Sequence, residues 1–473
     1  MIRFILNKKE IQTALPSGTL LLDFIRYHQH QMGTKIGCRE GDCGACSVLI
    51  GDFKNKNLHY QSATSCLTAL GNVHGKHVIS IEGLNMAELN LAQQAMKDES
   101  ATQCGFCTPG FVVSLSGFCL TEQEPTEENV LAAISGNICR CTGYKSIEKA
   151  AGTVCKSLEN RGNESPIDFA IRKNYLPEYL KEIPARLLAL KQNLNGALKP
   201  KTDKPKFLGG GTDLYVQQHE TMHHEDIDFL FDQSELNGIA QNGKICEMGA
   251  ASTVTNMLES LVFQAHFPNL KPIGKLVSSE PIRNIATIAG NIINASPIGD
   301  LSIFFLALDA KIHLKNGTEK RIVPLRSLYL GYKKLDRLPE EIVEKISFKL
   351  PDGQSKINFE KVCKRTHLDI ASVNSALFVE LEGNKILNAG LSAGGVGPVP
   401  LFLPKSSAFL SGKTVSIELL EELLELVQTE ISPISDVRGT ETYKRTLLHQ
   451  LVKAHFSIMF KDLDVNQLIR LSL

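Results

Sequence analysis

The chain has 473 residues, with 51 Lys plus Arg balancing 51 Asp plus Glu and a formal net charge of zero. Its 43% apolar and 22% charged residues are an ordinary globular composition, enough for about three or four cored domains. The balanced charge gives no support for nucleic-acid or membrane-surface binding, and no apolar stretch reaches bilayer-spanning length.

The apolar run in the first nine residues is too short for a signal peptide, so the expected location is cytoplasmic. Twelve cysteines in a reducing compartment favour metal ligation over disulfides. Residues 2–6 read as a strand, 20–25 as a short helix, and 47–50 and 78–81 as further strands around a cysteine loop: a small α+β domain. Past residue 84 the spacing of Leu89, Ala92, Ala95 and Met96 is helical, as are 111–120 and 130–134, so 85–160 reads as a helical domain. The polar, turn-forming stretch 160–166 reads as a linker. After about residue 175 short strands and helices alternate, with glycine turns at 209–211 and 289–290. A break near 350–353 precedes strands at 375–381 and 387–392 and helices at 417–428 and 441–456.

Eight cysteines fall in two groups within the first 141 residues. Cys38, Cys43 and Cys46 have the spacing C-x4-C-x2-C, and with a later Cys66 they match the plant-type [2Fe–2S] ferredoxin arrangement. Gly37, Gly41 and Gly44 give such a loop the backbone freedom to wrap a cluster. Structural zinc sites usually show paired C-x2-C knuckles instead. The second group is Cys104 and Cys107, then Cys139 and Cys141; taken alone, this pattern suits zinc as well as iron. Cys119, Cys155, Cys246 and Cys363 lack paired spacing and read as buried, inert thiols.

Two further segments carry ligand chemistry. Phe207, Leu208, Gly209, Gly210, Gly211, Thr212, Asp213 and Leu214 follow an apolar strand, and successive glycine N–H groups can form an anion nest for a pyrophosphate. The run is neither a Rossmann fingerprint nor a P-loop, and a plain tight turn fits it equally well. Residues 283–300 mix small and polar residues with an apolar strand. Asp300 there suits either a ribose or flavin hydrogen bond or the cap of a helix starting near Leu301.

The two cysteine groups in this order, with both glycine-containing segments behind them, resemble the molybdenum-containing hydroxylases, among them xanthine dehydrogenase and aldehyde oxidase. The resemblance covers nearly the whole chain. It implies a multidomain α+β fold: a ferredoxin-like β-grasp [2Fe–2S] domain at 1–84 and a four-helix [2Fe–2S] domain at 85–160. A linker at 161–175, a two-subdomain PCMH-type FAD domain at 176–354 and a small α+β C-terminal domain at 355–473 follow. It assigns Cys38, Cys43, Cys46 and Cys66 to one cluster and Cys104, Cys107, Cys139 and Cys141 to the other. It carries Phe207 through Leu214 onto the pyrophosphate loop, and Thr287, Gly290, Asn291 and Asp300 onto flavin contacts, with Ile346 and Lys361 contacting the flavin from later segments. Residues 435–445 resemble the closing C-terminal domain. Ala289 stands where many relatives have glycine, and the absence of Trp rules out a tryptophan gate over the flavin.

The chain ends soon after this flavoprotein region, so the resemblance implies the small subunit of a split xanthine-dehydrogenase-type enzyme, with the molybdenum cofactor on a separate large subunit. Electrons from hypoxanthine or xanthine would pass through both clusters to FAD and then NAD⁺, in a heterotetramer of two heterodimers. No residue here reads as a general acid or base. A related enzyme acting on another N-heterocycle or an aldehyde, or a free-standing iron–sulfur flavoprotein carrier, remain the alternatives.

Overall fold

The computed structural model describes residues 1–54, 56–194, 196, 198–365 and 369–465. They form two compact units: Met1–Phe231 with Ser279–Ala286, and Asp232–Ser278 with Thr287–Leu473.

The first unit opens with a five-stranded sheet of order β2-β1-β5-β3-β4: β1 (Ile2–Leu6), β2 (Lys9–Thr13), β3 (Ser47–Lys54), β4 (Asn57–Thr64) and β5 (His77–Ile79). Leu6 pairs with Lys9, leaving a two-residue turn whose Asn7 takes the positive φ such turns need. β1 and β5 run parallel, with Phe4, Leu21, Ile25, Val48, Leu70 and Val78 buried in one core. The expected strand at 78–81 is shorter, because Ile81–Leu84 turns into a 3₁₀ helix. The expected helix at 20–25 is Leu21–Asp23 running into a π-helical turn, Phe24–His28.

Four helices follow: Leu91–Asp98, Thr108–Phe118, Glu127–Ala133 and Lys145–Leu158. Asn90 and Gln93 form a capping box on the first, Pro109 sits in the opening turn of the second, and Thr126 caps the third. Thr108–Phe118 is buried on all sides from Gly110 onward, as a central helix should be, and shares a core with Leu49 and Ile79 of the sheet. Within the stretch read as a linker, Pro166–Arg172 is a helix whose Phe169 is fully buried. β6 (Lys206–Leu208) and β7 (Ile227–Phe229) then pair in parallel across the helix Thr212–Met222. Such a crossover places the glycine run at the strand-to-helix turn.

The second unit holds two sheets. One is antiparallel throughout, in the order β11-β10-β14-β9-β8, from β8 (Ile239–Asn242), β9 (Ile245–Gly249), β10 (Lys311–Asn316), β11 (Glu319–Pro324) and β14 (Ile342–Lys349). A small ribbon, β12 (Tyr329–Gly331) with β13 (Lys334–Leu335), lies between them in sequence. Phe263 and Phe267 stack on each other, and with Phe304 and Phe305 they meet each other and Phe348 of β14 edge-on or tilted. The other sheet is β15 (Ser355–Val362), β16 (Val373–Glu382), β17 (Lys385–Gly394) and β18 (Leu401–Phe402). The helices Ile417–Glu430 and Glu441–Met459 pack Leu420, Leu423, Leu448 and Phe456 against it. Among the described residues no helix is long and apolar enough to cross a membrane.

Candidate electron-transfer site

Cys38, Cys43 and Cys46 lie on the loop that enters β3, and Cys66 on the 3₁₀ turn Ser65–Leu67 that leaves β4. The β3–β4 register sets Ser47 opposite Thr64, so the hairpin itself brings Cys46 beside Cys66. Ser65 seals that end, donating its N–H and Oγ–H to the Cys46 carbonyl at 3.3 and 2.7 Å. Backbone amides point at sulfur: Cys38 N to Cys43 Sγ at 3.4 Å and Glu40 N to Cys38 Sγ at 3.3 Å, the contacts that tune a cluster's potential.

The thiols stand in twos. Cys38 hydrogen-bonds Cys43, which holds Cys38 down at about 5 and pushes Cys43 up. Cys46 and Cys66, both buried, repeat the arrangement, with Cys46 lowered and Cys66 raised by their shared hydrogen bond. In the helical domain Cys104 Sγ and Cys141 Sγ are 3.3 Å apart, and Cys107 hydrogen-bonds Cys139. Cys107 opens the helix Thr108–Phe118 from its N-cap, while Cys139 and Cys141 precede the helix Lys145–Leu158. Among the described residues no three or more His, Cys, Asp or Glu side chains are arranged to hold one metal ion. Two thiol pairs per group are the set a two-iron cluster takes, two thiolates to each iron.

The two groups are tied to each other within the first unit. Ile138 N donates to the Cys43 carbonyl at 3.0 Å, and buried Asn137 donates from Nδ2 to the Gly44 carbonyl at 3.1 Å while accepting from Ser114 Oγ at 2.8 Å. Gly44 has a φ of 66°, and a Cβ there would stand 2.3 Å from the Gly136 carbonyl, so this approach needs glycine. Asn137 is a residue that sequence reasoning passed over: a lone Asn beside a cysteine motif carries no spacing signal. Cys119, Cys155 and Cys246 are buried as expected. Cys363 is a correction: it is part-exposed, and its thiol donates to the Arg365 carbonyl at 2.9 Å because it sits where β15 has already ended.

The glycine run also lies in the first unit. Phe207 and Leu208 end β6, and Gly211, at a φ of 84°, is the N-cap of the helix Thr212–Met222. A Cβ on Gly210 would stand 1.6 Å from the Ile285 carbonyl, so the turn is pressed against backbone. Asn72 Nδ2 donates to the Gly209 carbonyl at 3.1 Å, and Tyr215 Oη to the Gly18 carbonyl at 2.8 Å, fixing the turn to loops of the ferredoxin-like domain. The free N–H groups of a helix start, with its positive dipole end, suit a phosphate. Thr212, Asp213 and Leu214 form the first turn of that helix.

In the second unit Thr287 caps the helix Ile288–Asn294, its Oγ1 accepting from Gly290 N at 3.1 Å. Asn291 Oδ1 accepts from Ser302 N at 3.2 Å. Asp300 starts the helix Asp300–Ala307 but does not cap it, since Gly299 occupies the N-cap. Its carboxylate accepts from Lys361 Nζ at 2.7 Å and from Asn374 Nδ2 at 2.6 Å. Burial nevertheless raises the Asp300 carboxyl above the usual carboxylate value. Lys361, which a single-sequence reading places on the surface, has a side chain only 1% exposed and also donates to the Leu276 carbonyl at 2.7 Å. Asn374 is fully buried, and among the described residues its Oδ1 has no hydrogen-bond partner. Ile346 is fully buried in β14, between Ile312 of β10 and Met248 of β9.

Four sequence profiles match in tandem: a 2Fe-2S iron-sulfur cluster binding domain at 4–70, a [2Fe-2S] binding domain at 80–152, the FAD binding domain in molybdopterin dehydrogenase at 185–351, and the CO dehydrogenase flavoprotein C-terminal domain at 359–458. The chain belongs to the molybdenum hydroxylase family, as its iron–sulfur and FAD portion. It is similar to xanthine dehydrogenase of Emericella nidulans, 30% identical over 87% of this chain and 35% of that protein. Xanthine dehydrogenase 1 of Arabidopsis thaliana is 29% identical over 91% of this chain and 37% of that protein. The chain thus spans little more than a third of these relatives' length. Among solved structures, carbon monoxide dehydrogenase of Hydrogenophaga pseudoflava shares the fold, with a TM-score of 0.50 at 24% identity over 53% of this chain and 88% of the matched one. As a molybdenum hydroxylase portion the chain has two [2Fe–2S]-binding domains and an FAD-binding domain, and the paired thiols and the pressed glycine turn fit those groups.

Proposed function

We propose that this chain is the electron-transfer subunit of a xanthine dehydrogenase, taking electrons from a molybdenum cofactor on a separate large subunit and delivering them to NAD⁺ in the oxidation of hypoxanthine and xanthine to urate. The observation that carries the electron-transfer reading is the pairing of all eight cysteines, two pairs to each group. When bound, the clusters supply one-electron transfer and FAD supplies the change to two-electron hydride chemistry.

Cys38, Cys43, Cys46 and Cys66 hold one cluster in a domain spanning 1–84, and Cys104, Cys107, Cys139 and Cys141 hold the other in 85–160. Phe207 through Leu214 cradle the FAD pyrophosphate in the domain at 176–354, while Thr287, Gly290, Asn291, Asp300, Ile346 and Lys361 line the rest of the cofactor, the last from the domain at 355–473. Exposure sets the direction. Cys46 and Cys66 are buried, whereas Cys104 and Cys141 are exposed beside Phe106 (47% exposed) and Tyr144 (38%). Apolar side chains around an accessible electron entry suit a docked partner, so the helical domain receives electrons first. The working unit is a heterotetramer of two heterodimers in the cytoplasm.

The test is xanthine-dependent NADH formation by the natively purified complex. Activity with a co-purifying molybdenum subunit supports the whole reading. A brown, flavin-containing complex that is inert to xanthine but oxidises another N-heterocycle or an aldehyde keeps the electron-transfer role and rejects the substrate. A chain that purifies alone and serves several partners rejects the fixed-subunit reading.

A further inference from the structure

Reducing a two-iron cluster adds an electron where four thiolates already stand, so fixed charges close to it move its potential. Arg39 directly follows Cys38 in the cysteine loop and has a φ of 58°, a left-handed conformation that a side chain adopts at a cost of about 1 kcal/mol or more. The strain persists because the guanidinium is gripped as a fork: Nη2 lies 2.7 Å from Asp23 Oδ1 and Nη1 lies 3.2 Å from Asp23 Oδ2. Asp23 sits where the helix Leu21–Asp23 passes into the π-helical turn, and its neighbour Leu22 packs in one buried cluster with Cys46 and Cys66. π-Turns inside helices recur at functional sites.

The two side chains are 31% and 29% exposed, so their fields are screened less than those of a surface pair. The carboxylate thus fixes the guanidinium on the loop residue that directly follows Cys38.

The geometry points to the Asp23–Arg39 pair as an electrostatic trim on the ferredoxin-type cluster, in which Asp23 offsets the positive charge that Arg39 brings to the cysteine loop. Both are positioning residues, not ligands. The inference rests on the reading that Cys38, Cys43, Cys46 and Cys66 hold a [2Fe–2S] cluster. The loop carboxylates Glu40 and Asp42 are unchanged in every variant below, so they drop out of the comparison.

The experiment is a redox titration of the full chain followed by EPR, with iron content measured on the same samples and the helical-domain cluster as internal reference. Asp23→Asn leaves the guanidinium uncompensated and shifts the ferredoxin-type cluster to higher potential. Arg39→Gln leaves the carboxylate uncompensated and shifts it to lower potential. The double variant returns towards the wild-type value, Arg39→Lys stays close to it, and the reference cluster does not move. Shifts of the same sign in both single variants, or no shift with iron intact, overturn the proposal. If Arg39→Gln fails to retain iron, Asp23→Asn decides alone, with an upward shift supporting the pair and an unchanged potential overturning it. A wild-type chain without iron on these four cysteines fails earlier, at the cluster reading itself.

Discussion

The Cys43 carbonyl accepts the Ile138 amide hydrogen at 3.0 Å, and Ile138 is followed directly by Cys139. One hydrogen bond thus links the peptide of one cysteine group to a peptide adjoining the other. Asn137 holds this bridge by bonding Gly44 and Ser114 on either side. Asn137→Ala leaves buried polar groups without partners, so the chain should lose about 1–3 kcal/mol of stability. Transfer between the clusters, followed by rapid-freeze EPR, should slow. An unchanged melting curve and an unchanged rate would remove Asn137 from the account.

Gly210→Ala pushes a methyl group into the Ile285 carbonyl, a backbone atom that cannot swing aside. The turn must shift, at about 1–3 kcal/mol, and the proposed pyrophosphate cradle shifts with it. Purified variant is expected to keep its full iron and lose most of its flavin. Full flavin occupancy would separate this turn from cofactor binding.

Removing Lys361 strips the part-buried Asp300 carboxylate of its cation. Lys361→Met should cost about 3–5 kcal/mol at neutral pH, because an uncompensated charge remains inside. The pH dependence has a definite sign. Burial raises the Asp300 carboxyl above its unfolded value, so its contribution to stability is fully present below about pH 3.9 and is lost as pH rises through the raised value. Losing Lys361 raises it further, so the variant's stability deficit should widen from acid to neutral pH. Denaturant melts across that range measure it, and a constant deficit would argue against the ion pair.

His77 has the opposite behaviour. Its Nδ1 meets Tyr60 Oη at 2.6 Å and its Nε2 meets the Asn7 carbonyl at 2.9 Å, and burial depresses it to about 4. The unfolded histidine titrates near 6.5, so stability is full above that value and is lost as pH falls towards 4. At about 1.4 kcal/mol per unit, the loss approaches about 3 kcal/mol. His77→Gln should flatten this part of the stability profile in urea melts at stepped pH, and an unaltered slope would exclude His77 as its source.

The cysteine groups were legible in the sequence because cluster ligation constrains spacing along the chain, and the hairpin that joins Cys46 to Cys66 needs only one register. The core strands and the last two helices were legible from period-2 and 3.6-residue patterning, with ends displaced by a few residues: β16 reaches Glu382 and the last helix reaches Met459. The helix Pro166–Arg172 was hidden because its polar approach reads as a linker, while its buried residues are only the short run Phe169, Ala170 and Ile171. Asn137, Asn374 and the Asp23–Arg39 fork were illegible for a different reason. Each acts across distances of at least 16 residues in sequence, between partners whose types are ordinary and whose meeting depends on tertiary structure. The burial of Lys361 belongs to the same class.

The most direct test of the account is the iron, acid-labile sulfide and flavin content of the natively purified chain, with EPR after reduction. The account predicts about four irons and four sulfides per flavin and two distinguishable [2Fe–2S] signals, one of which disappears in Cys66→Ser together with about two irons. A colourless protein with zinc on its cysteines, or a single signal that survives Cys66→Ser, would contradict it.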